Sequence, residues 1–153
     1  MGSLLLTGAA ALVLLAAAGG AQGFNLSSAT QPLSREAGTD EVKGRLLVPV
    51  ASVQPGQVVE FGLRQQIKSG WHTYWANPGD SGLPTTIAWT APAGTSAGPI
   101  RWPAPNRFDV GPITNYGYGG EVTLLAPVTV PQDLAPGSTF RLRADVRWLV
   151  CSD

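Results

Sequence analysis

Histidine and cysteine are almost missing from this chain of 153 residues, which has one of each, His72 and Cys151. A blue-copper centre needs two histidines and a cysteine, so the count excludes it. A structural zinc site fails in the same way. Asp80-Ser81-Gly82 lacks the spaced run of carboxylates that a calcium loop requires. No metal and no cofactor is expected. Charge is scarce as well: 13% of residues are charged, and ten Lys plus Arg balance ten Asp plus Glu. That balance offers no electrostatic case for nucleic acid or an anionic membrane surface. Helical periodicity is absent after the first 21 residues.

What is abundant is glycine (19), proline (13) and apolar residues at 44%. This mix suits short strands joined by many turns. Residues 1–21 differ from the rest. Leu4 to Ala18 is almost wholly apolar, and Gly19-Gly20-Ala21 supplies small residues for cleavage, as in a secretory signal peptide. No Lys or Arg precedes the apolar run, so an N-terminal membrane anchor stays open as the alternative. Residues 22–40 are polar and weakly periodic, a flexible lead-in expected to end in an edge strand.

Residues 41–153 carry the strand signals. The last stretch, TFRLRADVRWLVCSD, alternates most strictly. Phe140, Leu142, Ala144, Val146, Trp148 and Val150 share one face, and Arg141, Arg143, Asp145 and Arg147 the other. By parity Cys151 falls with the arginines and points outward. Earlier, Val59, Phe61, Leu63 and Ile67 alternate with Glu60, Arg64 and Gln66, and Val122 to Val130 alternates again. Trp71, Thr73 and Trp75 share one side of a short aromatic strand, with His72 and Tyr74 on the other. Ala91 to Pro112 is proline-broken, with strand pieces around residues 100–102 and 107–110. Asn77-Pro78-Gly79-Asp80-Ser81-Gly82 reads as a turn-forming loop, and NYGYGG (residues 115–120) as a glycine-rich loop presenting two tyrosines. Roughly seven strands, each buried on one face, predict an all-β, immunoglobulin-like two-sheet sandwich.

His72 reads as a hydrogen-bonded strand residue. A Cys–His hydrolase would need His72 beside Cys151 together with an oxyanion hole. Most of the tryptophans read as core, whereas Tyr116 and Tyr118 read as a binding surface or lid. A lone cysteine is anomalous in an exported chain. It pairs outside the chain, reacts, or has a partner beyond the end of this sequence.

WHTYWANPGDSGLPT, GPIRWPAP, NYGYGGEV and WLVCSD, in this order, resemble the N-terminal periplasmic domain of the thiol:disulfide interchange protein DsbD, and more closely its ScsB-like branch, linked to copper tolerance. The resemblance covers about residues 40–153. It implies an immunoglobulin-like sandwich with a C-x-x-x-C pair, so that the sequence stops inside the motif. It implies electron transfer from a membrane-embedded thiol-reductase domain of the same protein to periplasmic thioredoxin-fold partners. Cys151 takes the place of one active cysteine. An aromatic cover over it is carried onto Tyr116, Tyr118 or the Trp71–Trp75 stretch. Arg147, on the same strand face, would favour the thiolate and Asp153 would oppose it. Periplasmic location and tethering to the inner membrane are implied with it. Two rivals stay open: an exported binding module with an aromatic groove and an incidental Cys151, and a structural sandwich with Cys151 bridging two chains.

Overall fold

Alternating apolar and polar residues leave each strand one face to bury, and two such faces close on each other. A computed structural model describes residues 4–15 and 36–153, with side chains from residue 36 onward. Among the described residues every element is a β-strand. They are β1 (Leu4–Leu15), β2 (Glu36–Gly38), β3 (Val42–Leu47), β4 (Val58–Ile67), β5 (Trp71–Gly79), β6 (Thr86–Thr90), β7 (Ser96–Ala97), β8 (Asn106–Val110), β9 (Ile113–Tyr118), β10 (Glu121–Thr129) and β11 (Thr139–Ser152). The expected cleavage region at residues 16–21 and the lead-in up to residue 35 lie outside the described residues. Leu4–Leu15, the apolar part of the expected signal, runs as β1 along β11, from Leu4↔Val150 to Leu15↔Thr139.

One sheet runs β1-β11-β5-β9-β8, with β6 also on β11; the other runs β2-β3-β4-β10-β7. With β1 along one edge of β11, strands β5 and β6 share the opposite edge end to end. β6 pairs Arg143–Arg147 and β5 pairs Val150–Ser152. The chain between them leaves the edge and returns to it. That excursion, residues 75–85, covers the C-terminal end of β11.

The inter-sheet core holds Phe61, Leu63, Leu124, Phe140, Leu142, Trp148 and Val150, all buried. One polar clip crosses it. Thr73 Oγ1 donates to Gln65 Oε1 (3.2 Å), and Gln65 Nε2 donates to Thr85 Oγ1 (3.3 Å). All three residues are buried, so the amide is tolerated because it is partnered. Trp148 packs flat over Gly44, where a Cβ would lie 2.8 Å from the indole.

Three expectations need correction. NYGYGG is not a loop: Asn115 to Tyr118 belongs to β9, inside the sheet between β5 and β8. Gly117 lies opposite Tyr74 and against the Thr73 carbonyl, which leaves no room for a Cβ. A glycine inside a strand often marks such a close backbone approach. Asn77, Pro78 and Gly79 are likewise the end of β5, with only the residues after them forming the loop. The strand number also exceeds seven, because β1, β2, β7 and β9 fall in stretches read as signal, lead-in, proline-broken run and loop.

Phe140 is fully buried and Val58 is 58% exposed. Phe140→Ala should therefore cost about 3–5 kcal/mol, and Val58→Ala within about 0.5 kcal/mol of nothing. Urea unfolding midpoints of the two variants check this.

Candidate functional site

Three residue pairs position the site: Val150↔Thr73, Cys151↔His72 and Ser152↔Trp71. Val150 and Thr73 face the core and are buried. Cys151 and His72 are therefore side by side on the opposite face, where directly paired residues have Cβ atoms about 4.5–5.5 Å apart. Outward parity for Cys151 holds, but the outward face here is not a wet one. His72 is 0% and Tyr74 2% exposed, while Cys151 is half-buried.

Strands β8 and β9 and the excursion after β5 provide the cover. The His72 ring stacks on Phe108 at 4.5 Å and meets Tyr74 edge-on at 5.1 Å. Asn115 Oδ1 accepts from both the amide and the hydroxyl of Ser81 (3.1 and 3.0 Å). Asp80 is tied twice to Thr114: its amide donates to the Thr114 carbonyl and its carboxylate accepts from the Thr114 amide. These bonds lay Gly82 on the Tyr74 ring. Gly82 has φ 103°, and a Cβ there would overlap the ring. The GDSG turn is thus a device for pressing Tyr74 into place.

Tyr74 in turn holds Cys151. Burial is the main cause that pushes its phenol up to about 12, followed by a hydrogen bond to the Cys151 sulfur and the negative charge there; a bond with Ser81 works against the shift. The phenol therefore stays protonated across the neutral range, beside the Cys151 sulfur. Around this pair opens a pocket of about 360 Å³, lined by Tyr74, Ser81, Gly82, Val110, Ile113, Asn115 and Leu149 to Ser152. The thiol thus lies at a concave surface with access from one side.

The carboxylate of the WLVCSD motif pairs with His72. Asp153 Oδ1 lies 2.7 Å from His72 Nδ1, and the Asp153 amide donates to the Gly70 carbonyl (3.0 Å). His72 Nε2 is buried and has no hydrogen-bond partner. Arg147 shares the face of Cys151 but stands four residues away, about 13 Å along a strand. That exceeds the screening length of about 8 Å at physiological salt.

The aromatic candidates divide. Tyr118 is 4% exposed and in the core, its hydroxyl bound to the Pro103 carbonyl at 2.8 Å, and burial pushes it up to about 12. Trp71 and Trp75 are half-buried against the same core. Tyr116 is 36% exposed. It has the parity of Tyr118, away from the Cys151 face. None of the four lines the Cys151 pocket, so the cover assigned to them falls instead to Tyr74 and the GDSG turn. Sequence reasoning placed Tyr74 on the His72 side of the strand but had no means of pairing that side with Cys151.

Comparison with known proteins agrees with the WLVCSD resemblance. The family model described as thiol:disulfide interchange protein DsbD, N-terminal, matches residues 44–153. The crystal structure of the N-terminal periplasmic domain of ScsB from Proteus mirabilis is similar at 28% identity and a TM-score of 0.56. The alignment covers 74% of this chain and 42% of that one. No curated protein matches the chain.

Two outcomes test the site. Gly82→Ala should displace Tyr74 and change the native reactivity of Cys151 with little loss of β-structure, read by thiol labelling beside circular dichroism. The tyrosines give a pH signature. Tyr74 and Tyr118 hold their protons to about 12 when folded, against 10.0 ordinarily. Their contribution to stability is complete below about pH 10 and is lost as pH rises through about 12. A phenolate absorbance titration should show these two late steps, coincident with alkaline unfolding.

Proposed function

The chain belongs to the DsbD N-terminal family, and on that premise we propose that Cys151 is an exchange thiol in a periplasmic electron relay. In this reading a membrane-embedded thiol-reductase domain of the same protein supplies electrons. Periplasmic thioredoxin-fold proteins receive them. The ScsB domain it resembles is described as periplasmic, which supports the compartment. The match spans under half of that chain, so the activity of the whole protein belongs to the proposal.

The observation that carries the reading is the half-buried Cys151 in an open pocket that Tyr74 also lines. Exchange requires a thiolate, access for a partner sulfur and a resolving thiol. The pocket supports the second, access to the sulfur. This sequence holds one cysteine, so the third comes from a second thiol outside it. Attack of the Cys151 thiolate on a partner disulfide forms a mixed disulfide and releases one partner thiolate. The second thiol then displaces the remaining partner sulfur and closes a disulfide with Cys151.

The expected outcome follows from the missing thiol. The chain as given should form mixed disulfides with thioredoxin-fold proteins or glutathione and not turn over. Iodoacetamide should label the native protein at a rate comparable to a free thiol. Mass spectrometry reads both. Labelling only after unfolding would refute the reading and favour an incidental cysteine in a binding module.

A further inference from the structure

Resting on the exchange reading, we propose that Val110 and Ile113, at the end of the β8–β9 hairpin, form with Leu149 an apolar seat for the side chain beside the partner's cysteine. Cys151 then exchanges preferentially with disulfides flanked by an apolar, uncharged residue. Strand parity brings the three side chains together. Phe108 pairs with Asn115, and Val110 with Ile113. Phe108 stacks on His72, so Val110, two residues on, turns to the same outer face of the sheet. Leu149 shares the parity of Cys151 on β11. All three are half-buried, and all three line the pocket at Cys151.

Leu149 breaks the pattern of its strand. The outer row of β11 reads Arg141, Arg143, Asp145, Arg147 and then turns apolar at Leu149, next to Cys151. No charged side chain lines the pocket. The carboxylates around it are engaged elsewhere: Asp80 with the Thr114 amide, Asp109 with Arg107 and Asp153 with His72. Two of its polar side chains are spent on each other, since Asn115 Oδ1 accepts from the Ser81 hydroxyl. An incoming chain therefore meets the sulfur beside aliphatic carbon from three strands.

The occupant follows from the reaction. A disulfide that brings one sulfur to Cys151 also brings the residues next to that sulfur. The pocket of about 360 Å³ is far more than one sulfur fills, and ligand pockets begin at about 300 Å³. An apolar side chain gains by leaving water there, whereas a charged one loses hydration with no counter-charge in the lining. The chemical step itself is ordinary exchange. Cys151 loses its proton to solvent and its thiolate attacks one partner sulfur. The new S–S bond forms as the partner's own S–S bond breaks, and the second partner sulfur leaves, reduced, as a thiolate. The seat acts by holding the attacked sulfur within reach.

The test uses the chain with its single cysteine, so every mixed disulfide forms at one place. The probes are symmetrical disulfides of blocked glycyl-cysteinyl peptides whose third residue is leucine, glycine, aspartate or lysine. Mass spectrometry gives the initial rate of mixed-disulfide formation with each, and the same chain in urea gives each peptide's intrinsic rate. The leucine-to-glycine rate ratio of the native chain should exceed that of the unfolded chain about tenfold, with the aspartate and lysine peptides below glycine. Ile113→Ser should bring the ratio toward its unfolded value. Val110→Lys should turn the preference to the aspartate peptide, an inversion that a misfolded chain would not give. Native ratios equal to the unfolded ones, or a leucine preference that survives both substitutions, overturn the seat; iodoacetamide labelling of the native chain then keeps the exchange reading intact. A native thiol that reacts with neither iodoacetamide nor any peptide overturns both.

Discussion

Everything at the candidate site depends on the short antiparallel pairing of β5 with β11. Three residue pairs decide which side chains enter the sandwich and which face the pocket. Side chains alternate with a period of two, so a slip of β11 by one residue would turn Cys151 into the core and expel Val150. The register is pinned from both faces. On the core side Thr73 is held by Gln65, itself held by Thr85. On the outer side His72 is held by Asp153, whose amide also binds the Gly70 carbonyl. A polar clip inside the sandwich therefore aligns the reactive sulfur on its outside.

The outer face would normally be wet, and a cysteine on it would behave as an ordinary surface thiol. The excursion of residues 75–85 changes that. It carries Gly82 onto Tyr74 and leaves a small second core of Tyr74, His72 and Phe108 on the far side of the sheet. Within it the phenol and imidazole are removed from water, while Cys151 keeps access through the pocket. The same burial makes the unpartnered Nε2 costly, which is the kind of local disadvantage that functional sites carry.

Much of the sandwich was legible in the sequence because β4, β10 and β11 each bury one face, and period two reveals that directly. The parity of Cys151 was legible for the same reason. Local pattern failed where distant chain segments meet. Glycine density in NYGYGG reads as a loop, yet Gly117 is there because the Thr73 backbone comes too close for a side chain. His72 and Asp153 are 81 residues apart, and no periodicity links them. Arg147 was singled out by shared parity, but parity gives the face and not the distance. The sequence motif around Cys151 singled out the candidate residue, while its neighbours depended on strand pairing.

The distribution of aromatic surface weighs between the readings. A groove for a sugar or peptide presents its rings to solvent, because stacking needs an open face. Here Trp148 and Tyr118 are buried, and Trp71, Trp75, Trp89 and Trp102 are half-buried against the core. Trp89 lies 5.7 Å from Phe61 in a tilted ring pair. Tyr116, at 36%, is the aromatic with most exposure among those described. Tyr74, which lines the Cys151 pocket, is itself buried. The rings thus serve the frame first, and the pocket beside Cys151 is not an open aromatic groove.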